Sequence, residues 1–295
     1  MKGVVMKIVN RAGARAVALE TTLLAHGVPS SASQPLADEL SQIVIDGGGS
    51  PAVVGVVDGV GTVGMTDDEL KDMLQSEGVM KANSANLGVA LHRGVHAATT
   101  VSTTMEFAAA AGVRVFATGG IGGVHMGYGE RLDISSDLMA LSRFPVAVVT
   151  SGVKSILDVV STREALESLG ILVIGYQTDR FPAFYLRESD AMVDVRIDDM
   201  AELAGLVGSE LDRCSRGVVV ANPIPAEDEL DHEQWRGWLA DAQAGAERSG
   251  ASGRGMTPAI LGGLHEVSDG ATLRANLALV RSNASLAGAL ASALG

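Results

Sequence analysis

Pro145-Val-Ala-Val-Val-Thr-Ser-Gly-Val-Lys-Ser-Ile-Leu-Asp158 is the stretch on which the fold reading turns. It opens with an unbroken apolar run, Val146 to Val149, then breaks into Thr150, Ser151 and Gly152. A continuous apolar run suits a strand of parallel sheet covered on both faces, whereas a half-exposed antiparallel strand would alternate. The polar break marks the strand's carboxyl end. The same pattern recurs, giving strands at Val17–Glu20, Val53–Val57, Val113–Thr118, Val146–Ser151, Leu172–Tyr176 and Val218–Asn222. Between them lie helical patterns at Pro35–Asp46, Thr66–Gln75, Thr99–Ala111, Ser136–Ser142, Thr162–Leu169 and Asp199–Cys214. Gly112 and Gly170 fall where a glycine closes a helix. This alternation predicts a layered α/β fold with a mostly parallel central sheet. The stretch Pro225–Gly255 is the least regular and reads as one helix flanked by surface loops. A last helix, Asp269–Leu294, carries Leu273, Leu277, Val280, Leu286 and Leu290 near helical spacing. No repeat or linker divides residues 1–295, so a single domain is expected.

The composition excludes several classes. At 47% hydrophobic, the chain can build a large core. Its net charge of −13 argues against nucleic acid, whose phosphates call for a basic face. No apolar run reaches the roughly 18 residues of a membrane span, and the start, Met1 to Lys7, lacks a cleavable signal pattern. Cys214 is the sole cysteine, which rules out an intrachain disulfide, disfavours a cysteine-based zinc site and fits a reducing cytoplasm.

In open α/β sheets ligands sit beyond the carboxyl ends of the strands. Here those ends read Glu20-Thr-Thr, Thr118-Gly-Gly, Ser151-Gly-Val-Lys, Gln177-Thr-Asp and Asn222-Pro. Lys154 stands out, because the chain holds only five lysines against seventeen arginines. An amine in an apolar pocket loses its charge more easily and becomes a nucleophile toward carbonyl carbon; the plain alternative is a lysine that snorkels or pairs with a carboxylate. Glu20, ending an apolar strand, is a candidate general acid, or else a structural acid with a cationic partner. The segment Thr118 to Gly127 is dense in glycine and could wrap an anion with backbone N–H groups, or simply turn tightly. His125 occupies the place of the third glycine of a dinucleotide fingerprint, so a nicotinamide enzyme is the weakest reading. Asp133 and Asp137 would share one face if their segment were helical and would suit a hard ion such as magnesium or manganese; a helix cap is the alternative. His26 and His125 fall in loops at the same edge. Lys81 could meet a phosphate as a point charge, or be an ordinary solvated lysine.

Together these segments resemble the pseudouridine-5′-phosphate glycosidase family, also called indigoidine synthase A-like. The matching pieces are Ala18-Leu-Glu-Thr-Thr-Leu-Leu-Ala-His-Gly-Val-Pro29, Phe116-Ala-Thr-Gly-Gly-Ile-Gly-Gly-Val-His125, Asp133-Ile-Ser-Ser-Asp137, Ser151-Gly-Val-Lys-Ser-Ile-Leu-Asp158, Ile174-Gly-Tyr-Gln-Thr-Asp179 with Phe181-Pro-Ala-Phe184, and Val220-Ala-Asn-Pro-Ile-Pro225. They run through nearly the whole chain in family order. The resemblance implies a three-layer α/β/α fold that forms a homotrimer, binds a divalent ion (usually manganese, with magnesium as the other choice) and makes or breaks the C–C bond between C1′ of ribose 5-phosphate and uracil. Lys154 would attack C1′ and hold the opened sugar as an imine, and Glu20 would donate the proton. Asp133 would hold the metal. Lys81, Val101, Thr118, His125, Ser135, Ser136 and Asp137 would contact substrate, and Asn276 would meet the base. An iminium at C1′ is an electron sink that opens C–C cleavage or its reverse, which ordinary two-carboxylate glycosidase chemistry does not.

Three departures from the family pattern bear on the aglycone. After Lys81 the family reads two arginines, where this chain has Asn83-Ser-Ala-Asn-Leu87. Its Val-His-Arg-Gly becomes Val124-His-Met-Gly127, and its Asn-Asn-Ala becomes Ser282-Asn-Ala284. Lost arginine weakens recognition of a polar anion, and gained methionine suits a flat apolar partner. On this ground the chain is expected to be a C-glycosynthase of the alnumycin type, joining ribose 5-phosphate to an aromatic polyketide. The alternatives are an ordinary glycosidase with uracil as aglycone and a non-catalytic sugar-phosphate sensor.

Overall fold

The computed structural model describes residues 8–130, 132–249 and 256–295. Thirteen strands are β1 (Ile8–Asn10), β2 (Ala16–Glu20), β3 (Ser50–Val57), β4 (Val60–Val63), β5 (Met80–Ala82), β6 (Ala97–Thr99), β7 (Val115–Ala117), β8 (Val124–His125), β9 (Ala147–Thr150), β10 (Leu157–Asp158), β11 (Val173–Tyr176), β12 (Val195–Ile197) and β13 (Val218–Ala221) among the described residues. The helices are α1 (Ser30–Asp46), α2 (Asp67–Gln75), α3 (Leu87–Arg93), α4 (Val101–Ala110), α5 (Ser136–Leu141), α6 (Val159–Ser168), α7 (Met200–Arg213), α8 (His232–Arg248), α9 (Met256–Val267) and α10 (Ala271–Leu294).

The main sheet runs β1-β4-β3-β2-β7-β9-β13-β11-β12, with β6 on β3 and β5 on β6. From β3 to β12 along that order every neighbour is parallel; β3 meets β4 and β6 antiparallel. Strands β7, β9 and β13 are fully buried, which explains their unbroken valine-rich composition. Helices α1, α7 and α10 pack together on one side, and α4 with α5 lies on the other. The fold is the expected mostly parallel sheet between helical layers.

All six expected strands and all six expected helices are present, with ends shifted by a few residues. Helix α1 starts at Ser30, five residues before the expected start at Pro35. Thr66 caps α2 with a reciprocal capping box to Glu69. The irregular stretch after Pro225 contains α8 as expected, while residues 250–255 lie outside the described residues. The added helix α9 packs on α8 to make a hairpin. Helix α10 is long and apolar enough to cross a membrane, but Leu279, Val280, Ala284, Leu286, Ala287 and Leu290 are buried against α1, α7 and the sheet. It is a core helix of this fold.

Candidate active site

Parallel strands β2, β7, β9 and β13 deliver their carboxyl ends to one edge. There a cavity of about 480 Å³ opens, within the usual range of small-molecule sites. Glu20, Lys81, Thr118, Lys154 and Asn276 line it, joined by His26 and by an apolar wall of Leu23, Ile156, Phe184, Tyr185 and Val280.

Glu20 ends β2, and its Oε1 accepts a short hydrogen bond from the Thr118 hydroxyl. Some Glu20 surface remains open to the cavity, yet its carboxyl is crowded by protein. Burial pushes it above the ordinary carboxylate range; Lys154 and then the Thr118 donor pull the other way. Lys81, on β5, keeps much surface toward the cavity. Desolvation of its amine, then the like charge of Lys154, hold it below the ordinary lysine value. Burial and Lys81 likewise lower His26, favouring the neutral imidazole. Burial also drives the Tyr185 phenol upward, so it stays protonated. Two amines, one neutralisable acid and a neutral imidazole thus face the same small volume.

Lys154 lies four residues beyond the end of β9, past the strand's carboxyl end as expected, and is half-buried. Its segment is pinned by backbone bonds, Lys154 N–H to Ile121 carbonyl at 3.1 Å and Leu157 N–H to Lys154 carbonyl at 2.9 Å. Gly152 precedes it with φ of +80°, and a Cβ there would run into the Pro182 carbonyl. Phe184 sits over this turn with φ of 63°, an uncommon backbone for an aromatic residue, its N–H bonded to the Ser151 carbonyl at 2.9 Å. The Phe184 ring meets Tyr185 edge-on at 4.7 Å, and Tyr185 meets Trp235 of α8 at 5.1 Å. Of this aromatic wall the sequence showed only the matching motif Phe181 to Phe184.

The remaining expected site residues do not line the cavity. Val101, Ser135, Ser136 and Asp137 gather instead at the starts of α4 and α5. Asp137 is 4% exposed, and its carboxylate accepts from the N–H of Ser102 at 3.0 Å and of Gly122 at 2.8 Å. It is near enough to act electrostatically on both Glu20 and Lys81. Ser136 bonds the Ser102 hydroxyl at 3.1 Å, and Ser135 caps α5. Val101 is the first residue of α4 and is buried. Asp133 precedes the helix, so Asp133 and Asp137 do not share a helical face; the segment forms the helix cap, with Ser135 as the cap residue.

Much of the glycine-dense segment bonds internally. N–H groups of Thr118, Ile121, Gly122, Val124 and His125 all bond within the protein. At Gly122 a Cβ would collide with the Ser135 hydroxyl, so that glycine serves close packing, while Gly119 and Gly120 line the cavity. Met126 is 65% exposed and absent from the cavity wall, which removes its support for a flat apolar aglycone. Asn83 and Asn86, which flank Ser84 and Ala85, bond each other's backbone, and Asn86 Nδ2 holds the Lys81 carbonyl at 3.0 Å.

Asp133 is more than half exposed, and its carboxylate lies 3.8 Å from His125 Nδ1. Among the described residues no three His, Cys, Asp or Glu side chains cluster as a metal cage. One carboxylate with a nearby imidazole fits only an ion that keeps most of its waters, as magnesium and manganese do.

Residues 5–293 match the family described as Indigoidine synthase A like protein. The chain is 43% identical over 282 residues to a pseudouridine-5′-phosphate glycosidase of Nocardioides sp., covering 95% of this chain and 92% of that one. It is 44% identical over 280 residues to the glycosidase of Dinoroseobacter shibae, covering 94% and 92%. Among solved structures, an indigoidine synthase A-like protein from Thermotoga maritima superposes with a TM-score of 0.89 at 35% identity, covering 99% of this chain and 97% of that one. The prealnumycin C-glycosynthase AlnA, in complex with ribulose 5-phosphate, superposes with a TM-score of 0.87 at 34% identity, covering 95% and 91%. With its sheet order, its strand-end cavity and this extent of likeness in hand, the chain belongs to the indigoidine synthase A-like family.

Proposed function

We propose that this chain is a C-glycosidase that cleaves pseudouridine 5′-phosphate, with water, to uracil and ribose 5-phosphate. The observation that carries the reading is the meeting of Lys154, Lys81 and a buried, neutralisable Glu20 around one cavity. The Lys154 amine displaces O4′ from C1′, opening the ribose ring as the proton lost by the amine passes to O4′, and the bond from C1′ to the base then breaks. Its electron pair stays on the base carbon and is capped by the proton of Glu20, leaving an iminium on Lys154. Water then hydrolyses the iminium, freeing the amine and the sugar aldehyde and returning a proton to Glu20; nothing is oxidised or reduced. Burial that keeps Glu20 protonated suits a donor. Lys81 places a cation at the polar side of the cavity, and Asn276 offers an amide for the base. The neighbouring AlnA holds ribulose 5-phosphate, an open-chain pentose phosphate, consistent with a sugar held open here.

Asp133 would hold a manganese or magnesium ion, with His125 beside it; such an ion supplies positive charge and ordered water near a sugar phosphate. The homotrimer and the reducing cytoplasm implied by the resemblance and the single cysteine belong to the same proposal.

A second reading, C–C bond synthesis with an aromatic aglycone, rests on the apolar wall of Leu23, Ile156, Phe184, Tyr185 and Val280 and on the likeness to AlnA. The relatives named as glycosidases at 42–44% identity favour cleavage, and Met126 no longer argues against it. Incubation with pseudouridine 5′-phosphate and manganese, followed by assay of free uracil, decides between the two: steady release supports cleavage. No release, with coupling of ribose 5-phosphate to a naphthoquinone-like aromatic, supports synthesis. Borohydride trapping with ribose 5-phosphate should place a mass adduct on Lys154; tight binding without an adduct would indicate a sensor.

A further inference from the structure

Asn283 carries the strongest unexplained polar arrangement in the molecule. It sits on α10 within an otherwise apolar face and is fully buried. Its Nδ2 donates to the Thr118 carbonyl at 2.8 Å and lies 3.1 Å from the Ser151 hydroxyl. Its Oδ1 accepts from Asn222 Nδ2 at 2.9 Å, and Asn222 also reaches the Ser282 hydroxyl at 3.0 Å. Both amide hydrogens and the carbonyl are therefore used. A buried amide costs free energy unless every group is paired, and a leucine would serve mere packing better.

The three residues it joins, Thr118, Ser151 and Asn222, follow directly on the ends of β7, β9 and β13, which are adjacent in the sheet. The last regular pairs there are Ala117 with Val149 and Ala221 with Thr150. Past these pairs the regular ladder ends and single main-chain bonds carry on, Thr118 N–H to the Val149 carbonyl at 3.0 Å, Ser151 N–H to the Gly119 carbonyl at 3.0 Å and Asn222 N–H to the Thr150 carbonyl at 2.9 Å, and Asn283 adds one side chain that spans all three ends. Two of the three lead to the chemistry. The Thr118 hydroxyl binds Glu20, and Ser151 begins the rigid turn that ends in Lys154.

We propose that Asn283 is the positioning residue that fixes the Glu20 acid relative to the Lys154 amine, by tying together the ends of β7, β9 and β13 where regular pairing passes into single main-chain bonds. It touches neither substrate nor reacting atoms and acts through Thr118 and Ser151. The inference rests on the lysine-imine reading above.

The test compares Asn283→Leu, Asn283→Asp and Thr118→Val with wild type, each first checked for folding by circular dichroism and thermal unfolding. For folded Asn283→Leu, kcat for uracil release should fall about 100-fold while KM moves by no more than about threefold, the signature of a misplaced rather than missing group. Borohydride should still trap ribose 5-phosphate on Lys154. The base limb of the kcat–pH profile should move to higher pH, because the Thr118 donor that favours ionised Glu20 is no longer held in place. Thr118→Val should shift that limb in the same direction without disturbing α10. Wild-type kcat and an unmoved limb in folded Asn283→Leu or Asn283→Asp would overturn the inference, as would an activity loss that merely tracks the folded fraction. Should neither Asn283 variant fold, an unmoved limb in Thr118→Val overturns it. Failure of the imine reading is distinct: the wild type itself would then yield no adduct.

Discussion

Helix α10 borders two hollows, and they are chemically unlike. On one side Asn276 and Val280 face the strand-end cavity of about 480 Å³. On the other, Arg274, Leu277, Ala278 and Arg281 line a larger, more open groove of about 760 Å³, shared with Ile43, Asp46, Pro225 and Asp228. Charges in the groove are settled. Arg281 grips Glu39 with bonds of 2.8 and 2.9 Å, Asp46 accepts from Gln42 at 2.8 Å, and Arg274 meets the Asp269 carbonyl at 3.3 Å. Charges in the cavity are not. Two lysines crowd one carboxyl, and among the described residues the close ion pairs involve arginine and histidine, never these lysines. Size alone would choose the groove. Unresolved electrostatics choose the cavity, because shifted acids and amines are costly to fold and are kept where they perform chemistry.

The contrast can be broken most sharply at Lys154. Lys154→Met should lower uracil release by about 10⁴-fold or more and abolish the borohydride adduct, as loss of a covalent nucleophile does. A variant retaining a tenth of the activity would reduce Lys154 to an ordinary lysine.

Glu20→Gln comes next, with an expected loss of about 10²- to 10⁴-fold in kcat, the span of general-acid contributions. It also tests the cavity's cost to folding. Glu20 has a raised folded-state value, so between the ordinary glutamate range near ~4 and that raised value the unfolded chain holds fewer protons than the native one. Wild-type stability should therefore decline as pH rises through that window. Glu20→Gln should unfold at a higher temperature than wild type near neutral pH, with the advantage vanishing below about pH 4. Scanning calorimetry at pH 4 and 7.5 reads it directly; a glutamine variant less stable than wild type at both would contradict the strain assigned to the site.

The smallest effect belongs to the groove. Arg281→Ala removes an exposed, bidentate pair with Glu39 and should cost at most about 1 kcal/mol of stability, with kcat within about twofold of wild type. A larger fall in activity would show that the two hollows are coupled through α10.

Sequence reasoning reached the sheet because β2, β7, β9 and β13 are nearly pure apolar runs with polar ends, and that same punctuation exposed Glu20, Thr118 and Lys154. It missed β1, β5, β6 and β12, each of three residues, too short for any period to register. Helix α9 was hidden by the adjacent Gly262 and Gly263, which lower helix propensity. Pro35 was taken as a helix start, the position proline favours, though α1 begins a turn and a half earlier. Asn283 could not be read at all. Its partners Thr118 and Ser151 lie 165 and 132 residues away, and nothing local distinguishes a buried amide from a solvated one. The aromatic wall was legible only as a matching motif, Phe181 to Phe184, without the left-handed turn that aims Phe184 over Gly152.

The origin of each cavity wall has one more consequence. Glu20, Lys81 and Thr118 stand on or next to strands, whereas Leu23, Phe184, Tyr185 and Gly262 come from connections and from the α8–α9 hairpin. Strands in a closed ladder resist change, since one altered residue disturbs neighbours on both sides; connecting segments drift far more freely. Bond-making and partner choice are therefore written in parts of the chain that can be inherited separately. Such a scaffold can trade one carbon partner for another by revising its loops while the acid stays where the sheet puts it and the amine where its turn is pinned to Ile121.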